Sequence, residues 1–122
     1  MTPPLVLVAE DDFNVRLTLE IVLEDAGFEI LLAADGEEAL RAARESAPDV
    51  ILLDQVMPKL DGKQVLHALR QDEATRDIPV LVLSGMERVP AEWPGAHFVG
   101  KPFSPEDLVG RIRALLPADK TV

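Results

Sequence analysis

Cysteine is missing from the 122 residues of this chain. Without thiols there are no disulfides, no thiolate zinc sites and no cysteine nucleophile. Aromatic residues make up only 4% of the chain, so a core has to be built from Leu, Val, Ile and Ala. No apolar stretch approaches the length of a membrane span. Met1-Thr2-Pro3-Pro4 lacks the basic start and long apolar region of a signal peptide. No membrane insertion is expected, and a cytoplasmic location of bacterial type fits these absences. Basic residues are also few, twelve Lys and Arg against 22 Asp and Glu, for a formal charge of −10. They are scattered rather than clustered, so direct binding of nucleic acid by this chain is not expected.

What is present is an ordinary globular composition, 48% apolar and 28% charged, with enough length for one core and not for two. Residues 1–122 are expected to form a single domain, with a core over about 5–116 and a tail or the start of a linker over 117–122. Leu5 to Ala9, Val50 to Leu53 and Pro79 to Leu83 are apolar runs of strand length, as in strands buried on both faces, and Phe28 to Ala33 reads as a further strand. His97-Phe98-Val99 is a shorter fifth run. Between them, Val15, Leu19, Val22 and Ala26 fall at helical spacing before Gly27, and Gly36 to Ser46 is rich in Ala and Glu. Val65, Leu66 and Leu69 mark a third helix, and Leu108, Ile112 and Leu115 a last one from Pro105 to Leu116, with Ser104 as its N-cap. Alternating strands and helices with right-handed crossovers predict an α/β doubly wound parallel sheet. Pro90 and Pro94 break the rhythm, so the segment between Ser84 and Phe98 is expected to hold at most one helical turn.

Polar groups stand at the ends of four apolar runs: Glu10-Asp11-Asp12, Asp54, Ser84 and Lys101-Pro102. In a parallel sheet those ends share one edge, where ligands bind. The plain reading of the first group is that Asp11 or Asp12 caps the helix starting near Phe13. If the first and third strands are neighbours, however, Asp11, Asp12 and Asp54 crowd together. Two carboxylates about 5 Å apart repel by roughly 3 kcal/mol at an effective dielectric of 20. Such a cluster raises a pKa or holds a cation. Oxygen-only ligands suit a hard ion such as Mg²⁺, and Asp12 has the means both to cap and to ligate. A carboxylate nucleophile, a hard ion, a lysine and a hydroxyl are the parts needed to form an aspartyl phosphate.

These residues resemble the receiver domain of two-component response regulators over about Leu5 to Leu116. The resemblance is carried by Asp11-Asp12, Asp54, Met57-Pro58, Asp61-Gly62, Ser84-Gly85 and Lys101-Pro102-Phe103, in that order along the chain. It implies a flavodoxin-like (βα)5 fold with strand order 2-1-3-4-5, and here a shortened or missing fourth helix. It also implies that Asp54 is the phosphoryl acceptor. Asp12 and Asp54 would bind Mg²⁺ (or Mn²⁺ in its place) directly, with the Val56 backbone oxygen as third ligand and Asp11 acting through water. Lys101 and Ser84 would contact the phosphoryl group, Ser84 and Phe98 would form the switch, and the bond before Pro102 would be cis. The implied partners are a histidine kinase or phosphotransfer protein and a downstream effector, and turnover in the enzyme sense is not expected.

A flavodoxin-type mononucleotide binder would share the fold, but Glu10-Asp11-Asp12 would repel its phosphate. A phosphatase with an Asp nucleophile would resemble Asp-x-Asp, whereas Asp54 is followed by Gln55-Val56. The closer rival is a receiver-fold interaction module that acts without phosphate. It is opposed by the clustering of like charges and favoured by the altered segment before Phe98. Val56 and Met86 lie two residues beyond Asp54 and Ser84, positions resembling those that tune phosphoryl lifetime, and neither side chain can orient an attacking water. Slow autodephosphorylation is therefore expected. Loss of phosphoryl label should accelerate in Val56→Asn and Met86→Glu, and unchanged decay in both would defeat this reading.

Overall fold

Strands that are apolar at every position need cover on both faces, and a parallel sheet between two helical layers supplies it. The computed structural model describes residues 3–54, 59, 61–84, 93, 95–100 and 103–116. It contains β1 (Leu5–Ala9), α1 (Phe13–Asp25), β2 (Glu29–Ala33), α2 (Gly36–Ser46), β3 (Val50–Asp54), α3 (Gly62–Gln71), β4 (Val80–Ser84), β5 (His97–Gly100) and α4 (Pro105–Leu115). All strand pairs are parallel, in the order β2-β1-β3-β4-β5. This is the flavodoxin-like order expected from the resemblance. The segment between Ser84 and Phe98, where at most one helical turn is expected, lies mostly outside the described residues, which there are 93 and 95–97.

Alternation along each strand sorts the core into two layers. Leu7, Ala9, Ile51, Leu53, Val80 and Val82 face α2 and α3, packing with Ala39, Leu40, Ala43, Val65, Leu66 and Leu69. Val6, Val8, Val50, Leu52, Leu81 and Leu83 face the other way, against Leu19 and Leu23 of α1 and Leu108, Val109 and Ile112 of α4. His67 and His97 are both exposed.

Helix ends are set by local chemistry. Asp61 and Gln64 form a reciprocal capping box on α3. The Ser104 hydroxyl accepts from the Asp107 N–H at 3.1 Å, with Pro105 in the first helical turn. Helix α1 stops at Ala26, and Gly27 follows with φ 97°.

Two surface carboxylates tie neighbouring elements. Asp35 caps α2, accepting from the Glu38 N–H at 2.9 Å, and pairs with Lys59 at 3.4 Å. Asp72 accepts from the Ala74 N–H at 2.9 Å and pairs with Arg44 of α2 at 2.9 Å. The pKa of each is lowered, chiefly by its backbone N–H donor and next by its cationic partner. A carboxyl with a depressed folded-state pKa adds stability above its unfolded pKa and loses it as pH falls through the folded value. Acidification from about pH 5 to pH 3 should therefore lower Tm less in Asp35→Asn and Asp72→Asn than in the wild-type chain. Equal losses in all three proteins would show that neither carboxylate contributes.

Candidate phosphoryl-acceptor site

The site is built by register. β1 and β3 pair with Ala9 opposite Leu53, so the next residues, Glu10 and Asp54, come side by side at the carboxyl edge of the sheet. The Glu10 N–H continues the strand by donating to the Ala33 carbonyl at 3.0 Å. Glu10 is 2% exposed and Asp54 8% exposed. Asp11 joins them from the turn, where it is exposed to solvent. One carboxylate oxygen from each of Glu10, Asp11 and Asp54 lies within 4.8 Å of the others. At that separation each pair of charges repels by about 3 kcal/mol at an effective dielectric of 20.

The turn itself is held from both sides. The Asp12 N–H donates to Glu10 Oε1 at 3.1 Å. From one turn into α1, the Arg16 guanidinium donates to the Glu10 carbonyl at 2.9 Å and reaches the Asp11 carbonyl at 3.5 Å. Its central carbon lies 5.7 Å from the centre of the exposed Phe13 ring. These contacts fix the backbone that presents Asp11 to Asp54.

Asp12 does not occupy the place expected of it. Its Oδ1 accepts from the Asn14 and Val15 N–H groups at 2.9 and 3.2 Å, making it the N-cap of α1. The acids whose oxygens gather with Asp54 among the described residues are Glu10 and Asp11, while Asp12, expected as a direct ligand, is engaged through Oδ1 as the helix cap. The physical reason is that the strand reaches its edge at Glu10, so the chain has already turned into the helix by Asp12. Glu10 was missed because three consecutive acids give no sign of which two face β3.

Ser84 ends β4, and its register partner is Gly100 at the end of β5, one residue before Lys101. Asp54 pairs with Leu83. The backbone thus brings the ends of β3, β4 and β5 to one edge. The Ser84 side chain, Val56, Lys101 and Pro102 lie outside the described residues, and so do the roles expected of them. Phe98 is half-buried, with its ring against Trp93.

Three carboxylates and no nitrogen or sulfur donor make a set suited to a hard divalent ion. The sequence matches the response regulator receiver domain over residues 6–113. The chain belongs to the response regulator receiver family. It is 46% identical over 121 residues to the transcriptional regulatory protein PrrA of Mycobacterium tuberculosis, covering 95% of this chain and 51% of that protein. It is 37% identical over 118 residues to the DNA-binding dual master transcriptional regulator RpaA of Synechocystis, covering 93% of this chain and 49% of the relative. The chain therefore spans about half the length of these curated relatives. Among solved structures it resembles chemotaxis protein CheY4 of Vibrio cholerae, with TM-score 0.88, 32% identity, and coverage of 94% of this chain and 100% of that one. It also resembles the receiver domain of the sensor histidine kinase PA1611 of Pseudomonas aeruginosa, solved with magnesium in its active-site cleft. There the TM-score is 0.86 at 25% identity, over 93% of this chain and 97% of the other. Receiver domains are phosphorylation-dependent signalling switches, and they bind Mg²⁺ at an acidic site.

Asparagine caps helices as well as aspartate, so Asp12→Asn removes a charge and leaves the cap. Mg²⁺ should raise Tm equally in the wild-type chain and Asp12→Asn, and much less in Asp11→Asn and Asp54→Asn. With divalent ions chelated, Asp54→Asn should melt above the wild type, because one repelling charge is gone. A Mg²⁺ response lost in Asp12→Asn and kept in Asp11→Asn would overturn this assignment.

Proposed function

We propose that this receiver domain is switched by transfer of a phosphoryl group to Asp54. The donor would be a histidine kinase, a phosphotransfer protein or a small phosphodonor. The observation that carries this reading is the juxtaposition of Glu10, Asp11 and Asp54 within 4.8 Å at the sheet's carboxyl edge. Asp54 is the member of the three delivered by a central strand, and its neighbours β1 and β4 fix its backbone on both sides.

In the proposed reaction an Asp54 carboxylate oxygen attacks phosphorus in line with the leaving group. The new bond is an acyl phosphate O–P bond. The donor's own bond to phosphorus breaks, and its electron pair leaves with the donor. Asp11 and Asp54, with the Val56 backbone oxygen, would hold Mg²⁺, with Glu10 beside them. The bound ion would neutralise charge on the phosphoryl oxygens. Lys101 would meet the same oxygens with its ammonium, and Ser84 would donate its hydroxyl to them. The added phosphoryl carries about −1.5 to −2 charges. Drawing Ser84 inward would open the space into which Phe98 turns, shifting the population between two packings. A downstream effector would read that shift.

Intact mass after incubation with acetyl phosphate tests the proposal. The wild-type chain should gain one phosphoryl group only when Mg²⁺ is present, and Asp54→Asn should gain none. Lys101→Ala should slow the gain by about 10²-fold or more, the scale on which loss of one charge-stabilising donor acts. Mg²⁺ binding without mass gain, from either acetyl phosphate or a kinase, would favour the phosphate-independent interaction module instead.

A further inference from the structure

Among the described residues before β5, a single indole covers part of the sheet face. Trp93 is 6% exposed and packs in the layer formed by Leu53, Val65, Leu69 and Val82. It is the chain's one tryptophan. Its ring stands edge-on to Phe98, with centroids 5.4 Å apart and an interplanar angle of 77°, a favoured aromatic geometry. The turn that delivers it closes with the Ala96 N–H donating to the Trp93 carbonyl at 3.4 Å. Gly95, third in that turn, has φ 66°, a value glycine adopts without steric cost.

Arg70, in the last turn of α3, binds this turn to the body of the protein. One guanidinium nitrogen donates to the Arg76 and Ile78 carbonyls, each at 2.9 Å. Another reaches the Gly95 carbonyl at 3.5 Å. A Cβ on Gly95 would lie 3.6 Å from Arg70 Nε and Nη2, an ordinary van der Waals contact, so it is the positive φ rather than space that calls for glycine here. The group is half-buried, and burial lowers its pKa against the opposing charge of Asp77. A planar fork matched to three carbonyls is a task that Arg performs and Lys does not.

We propose that Arg70 is a positioning residue that latches Trp93 against Phe98, so that the two rings move together when Asp54 is phosphorylated. The latch itself stands on the contacts around Gly95. The concerted movement rests on the reading of Asp54 and Phe98 given above. In this chain the switch aromatic would therefore have an aromatic follower, anchored from α3.

Trp93 emission and its quenching by acrylamide decide between outcomes, with phosphoryl gain followed by intact mass. At rest, Arg70→Gln and Gly95→Ala should each raise the quenching constant about twofold or more, with the far-ultraviolet spectrum unchanged, as local opening of one segment requires. Arg70→Lys should fall between these variants and the wild type. On phosphorylation the wild-type emission should shift, and Phe98→Leu should gain the same phosphoryl mass without the shift. In Arg70→Gln the shift should be reduced at full mass gain, which a purely structural role would not produce. Unchanged resting quenching in both Arg70→Gln and Gly95→Ala would overturn the latch. An unaltered shift in Phe98→Leu, or none in fully phosphorylated wild type, would overturn the joint movement. No mass gain in the wild type would defeat the reading of Asp54 and the joint movement with it, while the resting comparison still decides the latch.

Discussion

Parallel pairing of β1 with β3 determines where every charge at the carboxyl edge stands, and Glu10 limits how that pairing can be made. Ala9 faces Leu53, and the acids begin one residue later on both strands. A slip of β1 one way would drive Glu10 into the apolar interior, where a charge without compensation is costly. A slip the other way would part it from Asp54. The register that remains sets carboxylates against one another at about 3 kcal/mol per pair before any cation compensates. The flanking strands can carry that load, since burying one Val, Leu or Ile contributes about 1.5–3 kcal/mol and β1 and β3 are apolar at nearly every position.

The same arrangement divides labour between rigid and adjustable parts. The sheet and α1 hold the acids: Arg16 grips the carbonyls of Glu10 and Asp11, while Asp12 is committed to the helix. On the β4–β5 side the described residues are joined by the indole of Trp93 against Phe98, one turn and the guanidinium of Arg70. On the proposed reading of Asp54, the acids would keep their geometry while the aromatic pair exchanges between two packings.

Most of the fold was legible because β1, β3 and β4 are buried on both faces and so appear as unbroken apolar runs. Gly27, Ser104 and Pro105 marked helix ends for reasons of backbone geometry that act locally. The acid triplet was only partly legible. Glu10, Asp11 and Asp12 are chemically alike, and a choice among them depends on interstrand register, which is a non-local quantity. The capping alternative for Asp12 was open from the sequence, and the helix took it. Pro90 and Pro94 argue against a long helix but carry no information on where Trp93 would pack. Nothing in the sequence singles out Arg70, since its carbonyl partners belong to segments brought together only by folding.

A crystal structure of the chain with Mg²⁺ and beryllofluoride tests the central claim most directly. The account predicts one metal ion bound at about 2.0–2.1 Å by Asp11 and Asp54, with beryllium on an Asp54 oxygen and Asp12 still capping α1. A metal held by the Asp12 carboxylate, or beryllofluoride bound away from Asp54, would contradict it.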